Sequence, residues 1–226
     1  MAAIRVLFLG MRGHFSRPPL EALIAAGVRV VGVWLPGEGG PHLASPSPTR
    51  TANLVGEELP VLNRYVEHNI VHVAWDHGVP VYEVGDLKSV ETLELARSMR
   101  PDVLAMACFD RLVPRELREL ARLSVNVHPS LLPENRGPAP LYWTFKLGLT
   151  KTGVTVHMLE ERADAGPILA QREMPVPEGI SEAELEQQLA KLGGKLLVEV
   201  VQQFAAGSLQ PQPQDESRAT TYPWPA

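Results

Sequence analysis

The chain has one cysteine, Cys108, in 226 residues, which excludes an internal disulfide. Leu104, Ala105, Met106 and Ala107 precede it, so the expectation is a core thiol at the end of a buried strand. Positive charge is also short. Lys and Arg number 21 against 26 Asp and Glu, a net −5, so there is no global basic field to recruit nucleic acid, and an RNA contact would need a local patch or another domain. No apolar run approaches a membrane span, and Ile4 to Leu9 is too short for a secretory leader, so a cytoplasmic protein without membrane contact is expected. Gly10-Met11-Arg12-Gly13 lacks dinucleotide-fingerprint spacing, so no nicotinamide site is expected. His-Glu-x-x-His is missing as well. His68 and His72 share a face of a helix predicted near Leu62 to His77, but they are expected to be solvated or packed, and no metal is assigned.

What remains is ordinary for a globular protein: 45% hydrophobic and 21% charged residues, in a length that suits one large α/β domain. Ile4 to Leu9 is a continuous apolar run closed by Gly10, as in a parallel strand buried on both faces. A helix over Pro18 to Ala26 and a β-branched run from Val28 to Leu35 complete a βαβ unit. Pro36 to Pro60 reads as a long loop. The alternation then continues: strand Val79 to Val84, helix Val90 to Met99, strand Val103 to Cys108, helix Pro114 to Arg122, strand Leu123 to Val127, helix Leu141 to Leu147. Gly153 to Leu159 and Ile168 to Val176 alternate like a β-ribbon, and Ser181 with Glu184 forms a capping box opening a helix to about Ala206. The fold predicted is α/β, a Rossmann-like doubly wound, mostly parallel sheet with a C-terminal β-ribbon and helix. The domain boundaries predicted are 1–206 for a catalytic domain and 207–226 for a proline-rich tail, a linker or a wrapping arm.

Chemistry concentrates at the end of the fifth long strand. Asn126 and His128 are separated by one residue, so their side chains project from one face with Cα atoms about 6 to 7 Å apart. In open α/β sheets ligands bind beyond the carboxyl ends of strands, where these two sit. Pro129 and Pro133 stiffen the Ser130-Leu131-Leu132 segment between them. Asp164 lies in a glycine-assisted turn; if that loop folds over the strand end, the carboxylate can orient His128 and raise its proton affinity. An amide, an imidazole and a carboxylate can bind a developing oxyanion and move a proton without a covalent intermediate.

Asn126-x-His128-Pro129-Ser130-Leu131-Leu132-Pro133, then Arg136-Gly137, Thr152-Gly153-Val154-Thr155 and Asp164-x-Gly166 resemble the signature of the folate-dependent formyltransferases. That family includes enzymes acting on methionyl-tRNA, glycinamide ribonucleotide and amino sugars. The resemblance is dense from Asp102 to Gln171 and weaker from Ile4 to Leu35. It implies the formyltransferase fold, 10-formyltetrahydrofolate as cosubstrate and a primary amine as acceptor. It implies catalytic roles for Asn126, His128 and Asp164. For the folate it implies Phe109, Asp110, Arg111, Leu112, Ser130, Leu131, Leu132, Pro133, Arg162 and Ala163. For the acceptor it implies Arg12, Gly13, Arg136 and Gly137.

The acceptor is less constrained. The complete tRNA enzymes resemble this chain through Pro211 to Thr220 and then continue into a barrel-like domain, whereas this chain ends at Ala226, and Pro36 to Pro60 holds only Arg50 as a basic residue. Ala139-Pro140-Leu141-x-Trp143 and Arg162 to Gly166 resemble the amino-sugar enzymes equally well. Aminoacyl-tRNA and a nucleotide-linked amino sugar therefore both stand as acceptors. The alternatives in other classes are a 10-formyltetrahydrofolate hydrolase and a folate-binding regulatory protein.

Overall fold

The alternating apolar strands assemble into one sheet of eight, ordered β3-β4-β2-β1-β5-β6-β7-β8, in the computed structural model, which describes residues 3–37, 47–52 and 68–225. The strands are β1 (Arg5–Gly10), β2 (Arg29–Pro36), β3 (Thr49–Arg50), β4 (Val81–Val84), β5 (Val103–Ala107), β6 (Leu123–His128), β7 (Lys151–Met158) and β8 (Ile168–Pro175). The helices, numbered in chain order, are α1 (Arg17–Ala25), α2 (Ile70–Asp76), α3 (Val90–Met99), α4 (Arg115–Arg118), α5 (Pro140–Lys146) and α6 (Glu182–Ala206). The central pairs β4-β2, β2-β1, β1-β5 and β5-β6 are parallel. The flanking pairs β3-β4, β6-β7 and β7-β8 are antiparallel. The sheet is thus mixed, and β7 and β8 extend it rather than standing apart as a ribbon.

Period-two alternation divides the core between the two faces. In β1, Val6 and Phe8 join a cluster with Leu20 and Leu23 of α1 and Leu185, Leu189 and Leu197 of α6. Leu7 and Leu9 join the opposite cluster with Trp34, Leu93 and Met99. The long helix α6 can lie this close because of two glycines: a Cβ at Gly193 would meet Val127 Cγ1 at 2.7 Å, and one at Gly194 the Pro18 carbonyl oxygen at 2.9 Å. Ser181 caps α6 in the predicted box with Glu184. No helix among the described residues is long and apolar enough to cross a membrane.

Several expectations change. β5 ends at Ala107, and Cys108 is exposed with φ 55°, a left-handed turn that takes its side chain out of the strand's alternation instead of into the core. The helix predicted over Pro114 to Arg122 stops at Arg118, because the Arg122 N–H already bonds the Asp102 carbonyl at 3.0 Å and leads into β6. Within the predicted 36–60 loop, Thr49–Arg50 forms an edge strand on β4, too short to show periodicity. The rest of that loop at 38–46 and 53–60, and the predicted helix before residue 68, lie outside the described residues. His68 precedes α2, His72 Nδ1 accepts from the Asn69 N–H, and His77 Nδ1 donates to the Val73 carbonyl.

The tail folds back on the sheet. Gln212 and Ile168 exchange two backbone hydrogen bonds of 2.8 Å. Arg136 N–H donates to the Thr220 carbonyl and Tyr222 N–H to the Arg136 carbonyl, each at 2.9 Å. Tyr222 stacks on Trp143 with ring centroids 4.8 Å apart.

Candidate active site

Alternation along β6 sorts its residues. Val125 and Val127 enter the core beneath α1 and α6, while Ser124, Asn126 and His128 face the other way, toward the end of the sheet covered by loops. Register places Asn126 opposite His157 and His128 opposite Thr155 on β7. Opposed residues of an antiparallel pair share a face, so His157 joins the predicted pair. All three are buried: Asn126 at 7%, His128 at 4% and His157 at 1% exposure.

Asp164 reaches them from the β7–β8 loop, at φ 54°, a left-handed conformation in which aspartate is tolerated. Its Oδ1 lies 3.4 Å from Asn126 Nδ2, 3.5 Å from His128 Nδ1 and 3.5 Å from His157 Nε2. Its Oδ2 accepts the Gly137 N–H at 2.9 Å. A Cβ on Gly166 would stand 2.0 Å from the Met158 carbonyl oxygen, so the loop's close return over β7 requires glycine. Asn126, His128, Asp164 and Gly137 are thus brought together from three segments.

Hydrogen bonds fix the histidine tautomers. A carbonyl only accepts, so His128 Nε2 carries the proton it donates to Asn135 at 3.0 Å, and His157 Nδ1 the one it donates to Met158 at 2.9 Å. His157 Nε2 then takes the Asn126 amide at 3.3 Å, and His128 Nδ1 is left with its lone pair toward Asp164. Burial lowers the His128 pKa below the ordinary histidine value, although Asp164 and the Asn135 carbonyl pull it back up and His157 lowers it. Burial would raise the Asp164 pKa, but His128, His157 and the Gly137 N–H outweigh it and hold the carboxyl well below the usual range. At neutral pH the site therefore contains a carboxylate facing a neutral imidazole, together a single proton acceptor. The Asn126 amide, held only by contacts of 3.3 and 3.4 Å, can turn to meet a developing oxyanion.

The other predicted residues fall in distinct places. Arg12 and Gly13 are exposed after β1, with Arg12 paired to Glu83 at 2.6 Å. Phe109 packs against the second core cluster, and Asp110 and Leu112 are exposed. Arg111 is turned back: it donates to the Val84, Gly85 and Gly37 carbonyls, tying the ends of β2 and β4. Ser130 Oγ donates to the Glu134 carbonyl, and Leu132 and Pro133 are buried in the same loop. Ser130, Leu131 and Leu132 also line a cavity of about 620 Å³ with Gln171 and Lys151, which none of Asn126, His128 and Asp164 lines. Arg162 and Ala163 are exposed beside Asp164, with Arg162 at 3.3 Å from Glu216. Arg136 is buried, its guanidinium taken up by Gln214 and Glu216 of the tail. Sequence reasoning missed His157, Asn135 and the tail residues. His157 left one signal, a lone imidazole in phase with Thr155 on a buried strand.

Comparison with known proteins gives the family and the fold. The formyl transferase family pattern matches residues 59–201. The methionyl-tRNA formyltransferase of Chloroflexus aggregans is 34% identical over 221 residues, 96% of this chain and 64% of that protein. The chain thus spans less than two thirds of that relative's length. HypX from Aquifex aeolicus, solved with tetrahydrofolic acid, superposes with TM-score 0.69 at 21% identity, over 100% of this chain and 30% of that one. An N-formyltransferase from Helicobacter canadensis, solved with folinic acid and dTDP-3-aminofucose, gives TM-score 0.66 at 16% identity, over 98% of this chain and 71% of that one. At those identities the two structures attest the fold.

Proposed function

The chain belongs to the formyl transferase family, and on that premise we propose that residues 1–206 form a catalytic domain transferring a formyl group from 10-formyltetrahydrofolate to a primary amine. The observation that carries this reading is the buried convergence of Asn126, His128 and Asp164 at the carboxyl end of β6. The folate cosubstrate supplies the formyl carbon, activated on N10. The site suits it: a neutral amide for an oxyanion and a proton acceptor beside it, at the carboxyl ends of β5 and β6 next to the Phe109–Leu112 loop.

As the amine nitrogen bonds to the formyl carbon, negative charge grows on the formyl oxygen, and the Asn126 Nδ2 amide stabilises it. A preorganised donor of this kind contributes about 3 kcal/mol to the barrier. The amine gives up a proton, which His128 Nδ1 takes, directly or through a water; the imidazolium is then stabilised by the charge of the Asp164 carboxylate, whose Oδ1 lies 3.5 Å away. The bond from the formyl carbon to N10 breaks and N10 is protonated. Asp164 remains a carboxylate throughout, as its depressed pKa requires.

For the acceptor we favour the amine of an aminoacyl-tRNA. Similarity to the methionyl-tRNA enzymes extends over 96% of the chain at 34% identity. The amino-sugar reading draws on likeness of fold at 16% identity. Incubation with 10-formyltetrahydrofolate and charged initiator tRNA or nucleotide-linked amino sugars, with a no-amine control, separates the readings. Formylated aminoacyl-tRNA is expected. Formylated sugar would move the assignment, formate without amine would mark a hydrolase, and untouched folate a binding module.

A further inference from the structure

Gln214, in the folded-back tail, joins the two loops that hold Asp164. Its side-chain oxygen accepts from Arg136 Nη2 at 2.6 Å and Nε at 3.2 Å, while its amide nitrogen donates to the carbonyls of Asp164 at 2.8 Å and Gly166 at 2.7 Å. Two acceptances and two donations fill the capacity of a primary amide. The orientation is unambiguous, since a flipped amide would set its NH₂ against a guanidinium and its oxygen against two carbonyls. Arg136 cannot swing away: its side chain is 2% exposed, and its Nη1 and Nη2 also bond Glu216. The tail is pinned on both sides of Gln214, at Gln212 to Ile168 and at Thr220 and Tyr222 to Arg136. Asp164, at φ 54°, is a residue whose backbone needs holding from outside.

We propose that Gln214 is a positioning residue, which sets the Asp164 carboxylate against His128 Nδ1 and the Gly137 N–H by fixing the main chain at Asp164 and Gly166. Its catalytic consequence rests on the formyl-transfer reading; its geometric consequence does not. Without the two donations from Gln214, the loop is held to the 135–137 segment by the Gly137 N–H and by the exposed Arg162–Glu216–Arg136 bridge, neither of which fixes the Asp164 main chain, and the carboxylate drifts from His128.

The test compares Gln214→Met, which keeps the size and loses every hydrogen bond, with Gln214→Glu, which keeps the Arg136 contact and cannot donate to the carbonyls. Arg115→Ala is the control, removing an exposed ion pair to Glu119 on α4 that lies outside the tail and lines neither the site nor the cavity. In Gln214→Met the expected result is a roughly tenfold to hundredfold lower kcat with little change in KM, and a downward shift of the His128 midpoint in an NMR titration of the free protein, since Asp164 no longer raises it. Gln214→Glu, which turns a carboxylate oxygen toward the Asp164 and Gly166 carbonyls, should fold with a lowered melting temperature and show at least the same loss of kcat. Arg115→Ala should match wild type in both kcat and midpoint. A folded Gln214→Met with wild-type kcat and an unmoved His128 midpoint would overturn the proposal; should that variant not fold, wild-type kcat in Gln214→Glu would do so. If wild-type protein transfers no formyl group, the functional reading fails, and the His128 midpoint, read without substrate, still decides the role of Gln214.

Discussion

Nδ1 of His128 faces Oδ1 of Asp164 across 3.5 Å while its Nε2 proton is committed to the Asn135 carbonyl. The pair is therefore set to accept one proton at Nδ1 and is too far apart to share one beforehand. The His128 pKa lies below the ordinary histidine value, chiefly through burial, and Asp164 is the group that raises it most. The acid limb of the kcat profile should accordingly fall below pH 6.5, the free histidine value of about that figure. Asp164→Asn should move the limb to still lower pH while reducing kcat. An acid limb above pH 7 in wild type would exclude His128 as the proton acceptor.

The same shifts set the pH dependence of stability. A histidine held below its unfolded pKa binds fewer protons when folded, so its contribution is intact above about pH 6.5 and declines as pH falls toward the folded pKa, at about 1.4 kcal/mol per pH unit. Asp164 adds stability above about pH 3.9 that is lost only in stronger acid. Chemical denaturation of wild type and His128→Gln from pH 7.5 to 5 is the check. The advantage of wild type should narrow as pH falls; a constant gap would mean that His128 titrates alike in both states.

Much of this was legible in the sequence, and the limits have physical causes. β1, β2 and β5 announce themselves as nearly continuous apolar runs because both their faces are covered, while β6 alternates Leu123, Val125 and Val127 with polar residues. The shared face of Asn126 and His128 follows from period two alone. The same period identified the strands at Gly153 and Ile168 as a ribbon paired with each other, and their place in the main sheet emerged only from hydrogen bonding to β6. His157 depends on that antiparallel register and could not be placed beside Asn126 without it. Gln214 sits in a proline-rich stretch with no periodicity, and its partners are 48 to 78 residues away along the chain.

Two glycines offer a matched pair. Gly137 has φ 118°, and a Cβ there would stand 2.1 Å from the Tyr222 carbonyl oxygen; Gly148 has φ 61° with no atom within 4 Å of its Cβ. Gly148→Ala should cost about 1 kcal/mol from left-handed strain. Gly137→Ala should cost distinctly more and also lower kcat, because the tail must lift and the Gly137 N–H moves from Asp164. Equal destabilisation in urea would show that the contact with Tyr222 is loose.

Transfer of label from 10-[¹³C]formyltetrahydrofolate to an amine acceptor, measured in wild type, Asn126→Ala and Asp164→Ala, bears most directly on formyl transfer by Asn126, His128 and Asp164. Amide-bound label is expected with wild type, at rates reduced on the order of a hundredfold to a thousandfold in Asn126→Ala and nearly abolished in Asp164→Ala, both variants remaining folded. Wild-type turnover in either purified variant would contradict it.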